Sequence, residues 1–482
     1  MKLLKYLFPL LFLASGCDNN STLNNTPLQS PQWLLDGEDQ PYIFQAASHD
    51  LEYLPGGNVV YAFNSYDSER TRSLGIWSAD SDGNSLNMTA YPDLNVVPPV
   101  GSALGITVHT HKRLLAFAGD ELLLVGFNGN FYHLDQTGAL INQFTVLDLG
   151  YQQVTLVAHD DQQACWVGRN DSGATLLCMT ADGSILWQNP VEATFNNIDY
   201  PNMKADLLKD GTLVTAALSD SELTLTGYDG AGAIQWWQHQ PLAETDENSL
   251  AAMIGAGTHL VVGVREFTDG EGHSFNVMQF TQSGVLENTL NLPVAEPDGN
   301  SREFRLLPYT DAGYLVLTQY HRDDVYFGKN VAELQLVSFA GVPQWHRSLS
   351  LDLFGVDSRH LRSLSISVNA GVISVLQNQQ SVLLYTPVVI PVGVARMVDN
   401  LLLTELDGQG EVLRENVIGR LRYMVDYEGG IYQFNEHGFY PLLMATDGDR
   451  YAVAGARTKV TQDDGPGVYQ SNHALGMFRL EP

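Results

Sequence analysis

Cysteine and basic residues are both scarce in this chain of 482 residues. Its three cysteines exclude a disulfide-dense scaffold and every multi-cysteine zinc site. Only 25 Lys and Arg stand against 55 Asp and Glu, and the net charge of −30 argues against nucleic-acid binding and against attraction to anionic lipid headgroups. With 44% hydrophobic residues and 44 glycines, the composition indicates a folded, turn-rich chain. No nucleic-acid partner is therefore expected.

Sequence motifs of the common enzyme classes are also missing. The chain has no Gly-x-Ser-x-Gly nucleophile motif, no His-Glu-x-x-His zinc motif and no phosphate-binding loop. His109 and His111 would share one face of a strand, but no third metal ligand follows nearby, so ordinary polar histidines are the simpler interpretation. No catalytic residue, metal ligand or cofactor is assigned, and a noncatalytic role is favoured over an enzyme.

Apolar runs long enough to span a bilayer are absent, and the nearest one, 382–394, is interrupted by two prolines. Residues 1–16 have the layout of a signal peptide, with two lysines before a short apolar segment. The segment ends in Ala-Ser-Gly-Cys at 14–17, which resembles the lipobox of bacterial lipoproteins, in which the cysteine is lipidated. The resemblance makes Cys17 the lipidated N-terminus of the mature chain. An ordinary signal peptide, with Cys17 an incidental thiol, is the alternative.

Residues 17–30 are expected to form the lipidated cysteine and a flexible tether, because DNNSTLNNTPLQS is polar and has no apolar period. The protein would then be held to a membrane of the bacterial cell envelope by its lipid alone, facing the periplasm. Asp18 resembles the signal for inner-membrane retention in enterobacterial lipoproteins. Sorting rules differ among bacteria, so the inner and the outer membrane both stay open.

The remainder, 31–482, repeats a unit of four strands. The unit is clearest at 203–238, where period-2 apolar runs of strand length alternate with Gly, Asp and Asn turns. Second strands are predicted to begin near Asn58, Glu121, Ala164, Thr212, Thr258, Gly313, Gly371 and Arg450. Turn glycines between third and fourth strands recur at Gly83, Gly138, Gly183, Gly232, Gly284, Gly341 and Gly410.

One strand is missing at the C-terminus and present at the N-terminus. The chain stops after a third strand at 475–480, whereas Ser-Pro-Gln-Trp at 30–33 matches the fourth-strand sequence Val-Pro-Gln-Trp at 342–345. Pairing an N-terminal strand with the last three closes a circular array and removes its exposed edges. The sequence therefore predicts an all-β fold, an eight-bladed β-propeller of four-stranded antiparallel blades closed by an N-terminal strand.

Tryptophans follow three of the turn glycines by four residues, at Trp187, Trp236 and Trp345. This spacing places each indole on one face of an outer strand, where it is expected to pack between neighbouring blades. Glycine suits the preceding turn because one turn position needs a positive φ, which glycine adopts at little steric cost.

Units such as LLCMTADGSILWQ (176–188) and LTLTGYDGAGAIQWWQ (223–238) resemble the PQQ-like repeat of quinoprotein-type propellers. Pyrroloquinoline-quinone alcohol dehydrogenases share that repeat and carry a vicinal disulfide, but this chain has no adjacent cysteines, so no quinone cofactor is expected. BamB-type propeller lipoproteins combine the repeat with a lipobox, a short tether and eight blades. The resemblance to them implies a noncatalytic scaffold. Longer blade loops and Asp18 are departures from that family.

Loops of unequal length distinguish the two faces of the predicted ring. First-to-second and third-to-fourth turns are short and share one face. The other connections share the opposite face and include the excursions 92–112, 320–332, 378–400, 420–438 and 457–474. Because long loops on a rigid scaffold often carry binding, the predicted function is a protein-interaction scaffold with envelope proteins as partners. The alternative is a glycan- or small-molecule-binding, or hydrolytic, propeller that uses its central funnel.

Two of these loops hold candidate contact residues. One is either an interaction loop or a solvated charged loop, and it contains Tyr320, His321, Arg322, Asp323, Asp324 and Tyr326. The other, 378–400, is expected to pack over the propeller rather than meet a partner, and it contains Val388, Val389, Ile390 and Val392.

Cys165 and Cys178 fall on neighbouring strands of one unit. A hairpin that turns at 170–173 sets them opposite each other, and an oxidising periplasm would let them form a disulfide. Directly opposed cysteines often lie too far apart or under strain, so two buried thiols are the alternative.

Overall fold

A computed structural model describes most of the chain from residue 32 to residue 479. The described ranges are 32–36, 48–66, 72–191, 203–293, 301–322, 329–348, 374–392, 396–447, 450–460 and 469–479. Within them, 55, 111, 220–221, 244, 246, 269–271, 311–312, 379–380, 420, 426–430 and 436–438 are left out. In these ranges the regular structure consists of β-strands.

Strands of the first half form blades 1 to 4, numbered along the chain after an initial strand, β1 (Trp33–Asp36). Blade 1 comprises β2 (Ser48–Tyr53), β3 (Val59–Tyr66), β4 (Arg72–Ala79) and β5 (Ser85–Pro92). A short β6 (Thr107–His109) precedes blade 2, which comprises β7 (Leu114–Phe117), β8 (Glu121–Val125), β9 (Asn130–Leu134) and β10 (Leu140–Thr145). Blade 3 comprises β11 (Gln153–His159), β12 (Ala164–Asn170), β13 (Gly173–Met179) and β14 (Ile185–Val191). Blade 4 comprises β15 (Met203–Leu207), β16 (Leu213–Ser219), β17 (Glu222–Tyr228) and β18 (Ile234–Pro241).

Strands of the second half form blades 5 to 8. Blade 5 comprises β19 (Glu247–Ala256), β20 (His259–Thr268), β21 (Gly272–Thr281) and β22 (Leu286–Pro293). Blade 6 comprises β23 (Ser301–Thr310), β24 (Gly313–Arg322), β25 (Lys329–Ser338) and β26 (Pro343–Ser348). Blade 7 comprises β27 (Ser374–Asn378), β28 (Ser381–Val392), β29 (Arg396–Leu406) and β30 (Val412–Gly419). A separate hairpin of β31 (Leu421–Val425) and β32 (Ile431–Asn435) precedes the last three strands, β33 (Phe439–Asp447), β34 (Arg450–Val460) and β35 (Tyr469–Arg479).

The N-terminal strand completes blade 8. β1 pairs antiparallel with β35, from Trp33 opposite Met477 to Asp36 opposite Ala474, and becomes the fourth strand of the sheet β33-β34-β35-β1. The match between the Ser-Pro-Gln-Trp and Val-Pro-Gln-Trp segments therefore predicted this pairing correctly. The last blade is held together by residues from both ends of the described chain.

Apolar side chains join each blade to the next around the ring. Five clusters connect blades 1 and 2, 2 and 3, 3 and 4, 4 and 5, and 5 and 6. Two more connect blades 6 and 7 and blades 8 and 1, while β27 and β29 of blade 7 contact β33 of blade 8. This order of packing is that of an eight-bladed β-propeller. The core is therefore a ring of seams between sheets and not one central cluster.

Large aromatic side chains of one blade lie on the turn glycine of the next. A Cβ added at Gly232 would lie 2.6 Å from Cδ2 of Trp187, and Trp236 and Trp345 occupy the same position against Gly284 and Gly410. These contacts confirm that the three tryptophans pack between blades. Trp33 fills the equivalent place against Gly83 of blade 1, so the closing strand uses the same contact.

The seven turn glycines share a conformation that explains their residue type. Each of them has a φ between 72° and 86°, in the left-handed region that favours glycine. In each turn the glycine N–H donates a hydrogen bond to the backbone carbonyl three residues earlier, as Gly232 N does to Asp229 O at 2.8 Å. A register shift accompanies the turn. In blade 4, Gly227 and Tyr228 pair with Trp236 and Ile234, so Gln235 of the outer strand is the extra residue of a glycine bulge.

Second strands begin within one residue of the predicted positions in seven blades, and blade 7 is the exception. There the prediction near Gly371 was wrong, because the second strand is β28, which starts at Ser381. Residues 378–400, which include this strand, were predicted to form a long loop. In the structure β28 pairs along its length with β29, from Val382 opposite Leu406 to Val392 opposite Arg396.

A disulfide joins Cys165 and Cys178, whose Cα atoms are 4.0 Å apart. The two residues are directly opposite in the β12–β13 ladder, in the register that the hairpin turn predicted. Both side chains are fully buried and belong to the seam between blades 3 and 4.

Alanine substitution at two glycines of blade 4 separates the seam contact from backbone strain. Gly211 has a φ of 83° and open space around it, whereas Gly232 has a φ of 80° and Trp187 against it. Gly211→Ala should therefore destabilise only by the left-handed backbone penalty, about 1–2 kcal/mol. Gly232→Ala should destabilise by clearly more, because the new Cβ overlaps the indole. Urea denaturation of both variants measures the difference.

The Trp187→Ala background is the control for this comparison. There the excess penalty of Gly232→Ala over Gly211→Ala should disappear, since the overlapping ring is gone. Equal destabilisation by the two glycine variants in the wild-type background would contradict a role of Gly232 in the seam.

Candidate interaction surface

The two faces of the ring differ in what their connections carry. We call the face with the β4–β5 type of glycine turns the turn face, and the opposite face, with the second-to-third and fourth-to-first connections, the loop face. The long excursion between blades 1 and 2 lies on the loop face and is described almost completely. We call residues 93–109 the strap.

The strap begins with an aspartate that holds a turn of blade 2. Asp93 is almost fully buried, and its carboxylate accepts hydrogen bonds from Phe127 N at 3.1 Å and Asn128 N at 3.4 Å. The Asn128 amide donates back to Asp93 O at 2.8 Å. Because a buried carboxylate requires such partners, the start of the strap is fixed to the β8–β9 turn.

The strap then crosses blade 2 and reaches blade 3. Val96 N donates to Asn128 O at 3.3 Å, and Ser102 Oγ lies 3.4 Å from Asp171 Oδ1 in the β12–β13 turn. Its last residues form β6, which pairs parallel with β11 and adds a fifth strand to blade 3 on the side away from β12. Backbone pairing and side-chain bonds thus hold the strap at both blades.

Basic residues after the strap fix its return to blade 2. The Arg113 guanidinium donates to Gly126 O at 3.0 Å and lies 3.7 Å above the Phe127 ring. Asp93 and Arg113 therefore clasp the same β8–β9 turn from the two ends of the excursion. The carboxylate of Asp93 accepts from N–H groups of the turn, and the guanidinium of Arg113 donates to a carbonyl of the same turn.

Aliphatic side chains point out from this anchored segment. Leu94 is 60% exposed, Val97 is 77% exposed and Val100 is fully exposed. Pro98 and Pro99 lie between the two valines and restrict the backbone to extended conformations. An apolar surface on a stiff, anchored segment loses little conformational entropy when it binds, which suits a protein-binding site.

A half-buried acidic group lies where the excursion joins blade 2. Asp50 Oδ2 in β2 accepts hydrogen bonds from Arg113 N at 2.9 Å and Leu114 N at 3.0 Å. Nearby, Lys112 Nζ lies 2.5 Å from Glu52 Oε1. Burial, with the Glu52 charge, raises the pKa of Asp50 to about 7, although Lys112 and the two N–H groups lower it in part.

The predicted contact loop is shorter than the sequence indicated. Tyr320, His321 and Arg322 belong to β24 and pair with Val331, Asn330 and Lys329 of β25, so the proposed loop is in part a hairpin. Asp323, Asp324 and Tyr326 lie outside the described residues. The prediction of one irregular loop over 320–332 was wrong, because strands β24 and β25 extend to Arg322 and from Lys329.

The other predicted excursions also contain strands. Val388, Val389, Ile390 and Val392 lie in β28, not in a loop over 378–400. The 420–438 region forms the β31–β32 hairpin, and 457–474 is shortened by pairing up to Val460 opposite Tyr469. In blades 7 and 8 the ladders therefore continue beyond the predicted ends of the strands, whereas β31 and β32 form a sheet of their own.

Of the remaining candidates from the sequence, the structure describes His109 but not His111, Cys17 or Asp18. His109 lies in β6, opposite Thr155 of β11, and His111 lies outside the described residues. In the described part of the chain, no cluster of three or more His, Cys, Asp or Glu side chains could hold a metal ion. Cys17 and Asp18 also lie outside the described residues. Within the residues that the structure does describe, no helix is long and apolar enough to cross a bilayer.

Comparisons with known proteins find similarity in fold only. No family model matches the chain, and no curated protein matches it in sequence. Among solved structures, the WD40 domain of SCAP from fission yeast is 10% identical, with a TM-score of 0.41, over 93% of this chain and 98% of that one. The β-propeller domain of Cps50 (Swd1) from Myceliophteria thermophila is 10% identical, with a TM-score of 0.37, over 78% and 98%.

Prolyl oligopeptidase B from Galerina marginata is 12% identical, with a TM-score of 0.41, over 84% of this chain. The match covers 54% of that enzyme, so this chain spans about half its length. At these values the similarity carries no information about activity or partners. The propeller fold rests on the strand order and the seams between blades.

The raised pKa of Asp50 predicts the pH dependence of stability. Because its folded pKa of about 7 lies above the ordinary value of 3.8, protonated Asp50 stabilises the fold. That stabilisation is complete below about pH 4 and is lost as the pH rises through 7. Asp50→Asn should therefore gain stability relative to the wild type between pH 4 and pH 7. Thermal denaturation across this range measures the change.

Asp80→Asn is the matched control. Asp80 is exposed in a turn, and hydrogen bonds from Asn84 lower its pKa below 3.8. Its contribution to stability is therefore complete above about pH 4 and should not change between pH 5 and pH 7. If the difference between Asp50→Asn and the wild type were equally flat, the proposed burial of an Asp50 charge would be wrong.

Proposed function

We propose that the protein is a lipid-anchored, noncatalytic interaction scaffold of the bacterial cell envelope, and that it binds a partner protein through the loop face. The observation that carries the proposal is the strap, whose aliphatic side chains are exposed on a segment clasped by Asp93 and Arg113. Exposed apolar groups that a fold holds in place are typical of protein-binding surfaces. An unanchored loop with the same sequence would lose more conformational entropy on binding.

The position of the closing strand supports an orientation for this scaffold. Trp33 Nε1 donates to Ser81 O at 3.1 Å in a turn of the turn face, so β1 begins there. A tether of residues 18–30 would therefore leave from the turn face, with a reach of roughly 40 Å. The loop face and the strap would then point away from the membrane, toward a partner in the periplasm.

The disulfide between Cys165 and Cys178 supports an oxidising location. Disulfides persist in the periplasm, whereas the cytosol keeps thiols reduced. A signal peptide and a buried disulfide agree with each other, and both agree with envelope targeting.

Counting thiols tests the lipid and the disulfide together. In the mature, denatured and unreduced protein we expect no reactive thiol, because Cys17 is blocked by its lipid and the other two cysteines are bonded. After reduction we expect two. One reactive thiol before reduction and three after it would contradict lipidation at Cys17. Two additional reactive thiols before reduction, from Cys165 and Cys178, would contradict the disulfide.

Removing the exposed valines of the strap tests the interaction surface. We expect the lipidated protein, mildly cross-linked and purified from detergent-solubilised native membranes, to retain one stoichiometric partner. The double variant Val97→Ser, Val100→Ser should lose that partner, because its apolar contact surface is gone. Folding should be unaffected, since exposed substitutions usually change stability by only about 0.5 kcal/mol.

The double variant Val285→Ser, Val342→Ser is the matched control. These two valines are about half exposed and follow turn glycines on the opposite face of the ring. Retention of the partner by this control and its loss from the strap variant would support the loop face. Equal loss from both would contradict it. A wild-type protein that purifies without any partner would favour the ligand-binding alternative.

A further inference from the structure

Trp237 differs from the tryptophans that pack between blades. Among the residues whose side chains the structure describes, it is the only aromatic one that is largely exposed, at 62%. Its neighbour Trp236 lies against Gly227 and Gly284, and successive side chains of a strand point to opposite sides. Trp237 therefore faces away from the seam that Trp236 fills, and the blade contacts do not account for it.

The ring of His239 holds the exposed indole from one side along β18. The ring of His239 meets the Trp237 ring edge-on, with centroids 4.8 Å apart and an angle of 73°. His239 Nδ1 in turn contacts the Glu222 carboxylate and lies 3.1 Å from Thr224 Oγ1. These cross-strand contacts restrain the imidazole, and the imidazole restrains the indole.

A second carboxylate lies at the other end of this row. Gln235, the extra residue of the glycine bulge in β18, donates from its Nε2 to Asp229 Oδ2 at 2.7 Å in the turn before the strand. Four groups therefore follow one another along the chain: the Asp229 carboxylate, the Gln235 amide, the Trp237 indole and the His239 imidazole. The Glu222 carboxylate joins them from the neighbouring strand β17. We call Asp229, Gln235, Trp237, His239 and Glu222 the blade 4 row.

The chemistry of the blade 4 row favours a cationic ligand. An indole face attracts a guanidinium or ammonium group, and the Glu222 carboxylate, which contacts His239 beside the ring, adds to that attraction. The net charge of −30 also favours the approach of cations and repels anions. A neutral sugar could stack on the ring, but it would gain nothing from the carboxylates.

We propose that the blade 4 row binds a basic, extended segment of a partner protein, with an arginine guanidinium over Trp237. β18 is the outermost strand of its sheet, so an extended segment could lie along its edge. Alternate residues of that segment are about 7 Å apart and point to the same side, which matches the spacing of Trp237 and His239 along β18. The segment would thus carry a basic residue at every second position.

This surface is separate from the strap and does not depend on the proposed function. Binding is measured on the purified protein with a synthetic peptide, so the result is independent of any envelope partner. The probe is acetyl-Thr-Arg-Thr-Arg-Thr-Arg-Thr-amide. Labelling with 5-fluorotryptophan provides one ¹⁹F resonance for each of the seven tryptophans, and Trp237→Phe assigns the resonance of Trp237.

We expect the peptide to shift the Trp237 resonance in a saturable way and to leave the buried tryptophans unchanged. By isothermal titration calorimetry, Trp237→Ala should weaken peptide affinity about two- to fivefold, as expected for an exposed cation–π contact. Glu222→Gln should also weaken it and should reduce its dependence on salt. Gln238→Ala, on the opposite side of β18, is the control and should bind as the wild type does.

Three results would overturn the proposal. The first is no shift of the Trp237 resonance, and the second is an equal shift by the peptide with Glu in place of Arg. The third is a shift by a neutral oligosaccharide such as maltopentaose without a shift by the arginine peptide, which would assign the row to a glycan. None of these results bears on the partner that the strap variants test.

Discussion

The packing of a side chain of one blade on the turn glycine of the next is the constraint on which this propeller depends, and that side chain is aromatic at five of the seven turns. Each blade is a four-stranded sheet that buries its apolar residues only against its neighbours, so the spacing between blades decides whether the seams close. The left-handed φ of Gly232 and its missing side chain both serve this contact, because any Cβ there would meet Trp187. Trp33 repeats the contact against Gly83 with a strand from the opposite end of the chain. The contact that closes the ring between blades 8 and 1 is therefore the same as the contact between consecutive blades.

A ring with repeated seams leaves its connections free to differ from blade to blade. The strap shows how one connection acquires a fixed shape without a core of its own. Its anchors are the polar groups of a single turn, which Asp93 and Arg113 bind from either end of the excursion. Because the backbone of the β8–β9 turn is already fixed by its blade, these bonds restrict the strap and cost the scaffold little. The aliphatic residues between the anchors can then remain exposed, since folding does not require their burial.

Much of the fold could be predicted from the sequence because its unit repeats. Three signals are visible in the sequence: the repeated turn glycines, the period-2 apolar runs and the Pro-Gln-Trp match. From them the blade order, the closing strand and the register of Cys165 with Cys178 could be predicted. The prediction for blade 7 was wrong because the segment with Pro387 and Pro391 was predicted to be a loop, whereas it is strand β28. A strand accepts proline at positions where no backbone N–H is needed for pairing, and both prolines lie beyond the part of β28 that pairs with β27. The strap anchors could not be predicted, because they join Asp93 to N–H groups far along the chain. Trp237 was visible in the sequence beside Trp236, but only the strand alternation in the structure separates the exposed ring from the packed one.

The distribution of negative charge gives these surfaces different roles. Several aspartates of the turn face bind backbone N–H groups of their own turns, and hydrogen bonds lower the pKa values of Asp80, Asp135 and Asp182. These carboxylates therefore stay ionised at mildly acidic pH, and part of the net charge serves the turns and not a partner. An acidic turn face would repel anionic headgroups, which agrees with the proposed tether and its role of holding the body away from the bilayer. The loop face, by contrast, presents the uncharged residues of the strap. The apolar strap and the acidic blade 4 row therefore differ in the ligands that they can attract, since a salt-insensitive partner suits the first and a cationic one the second.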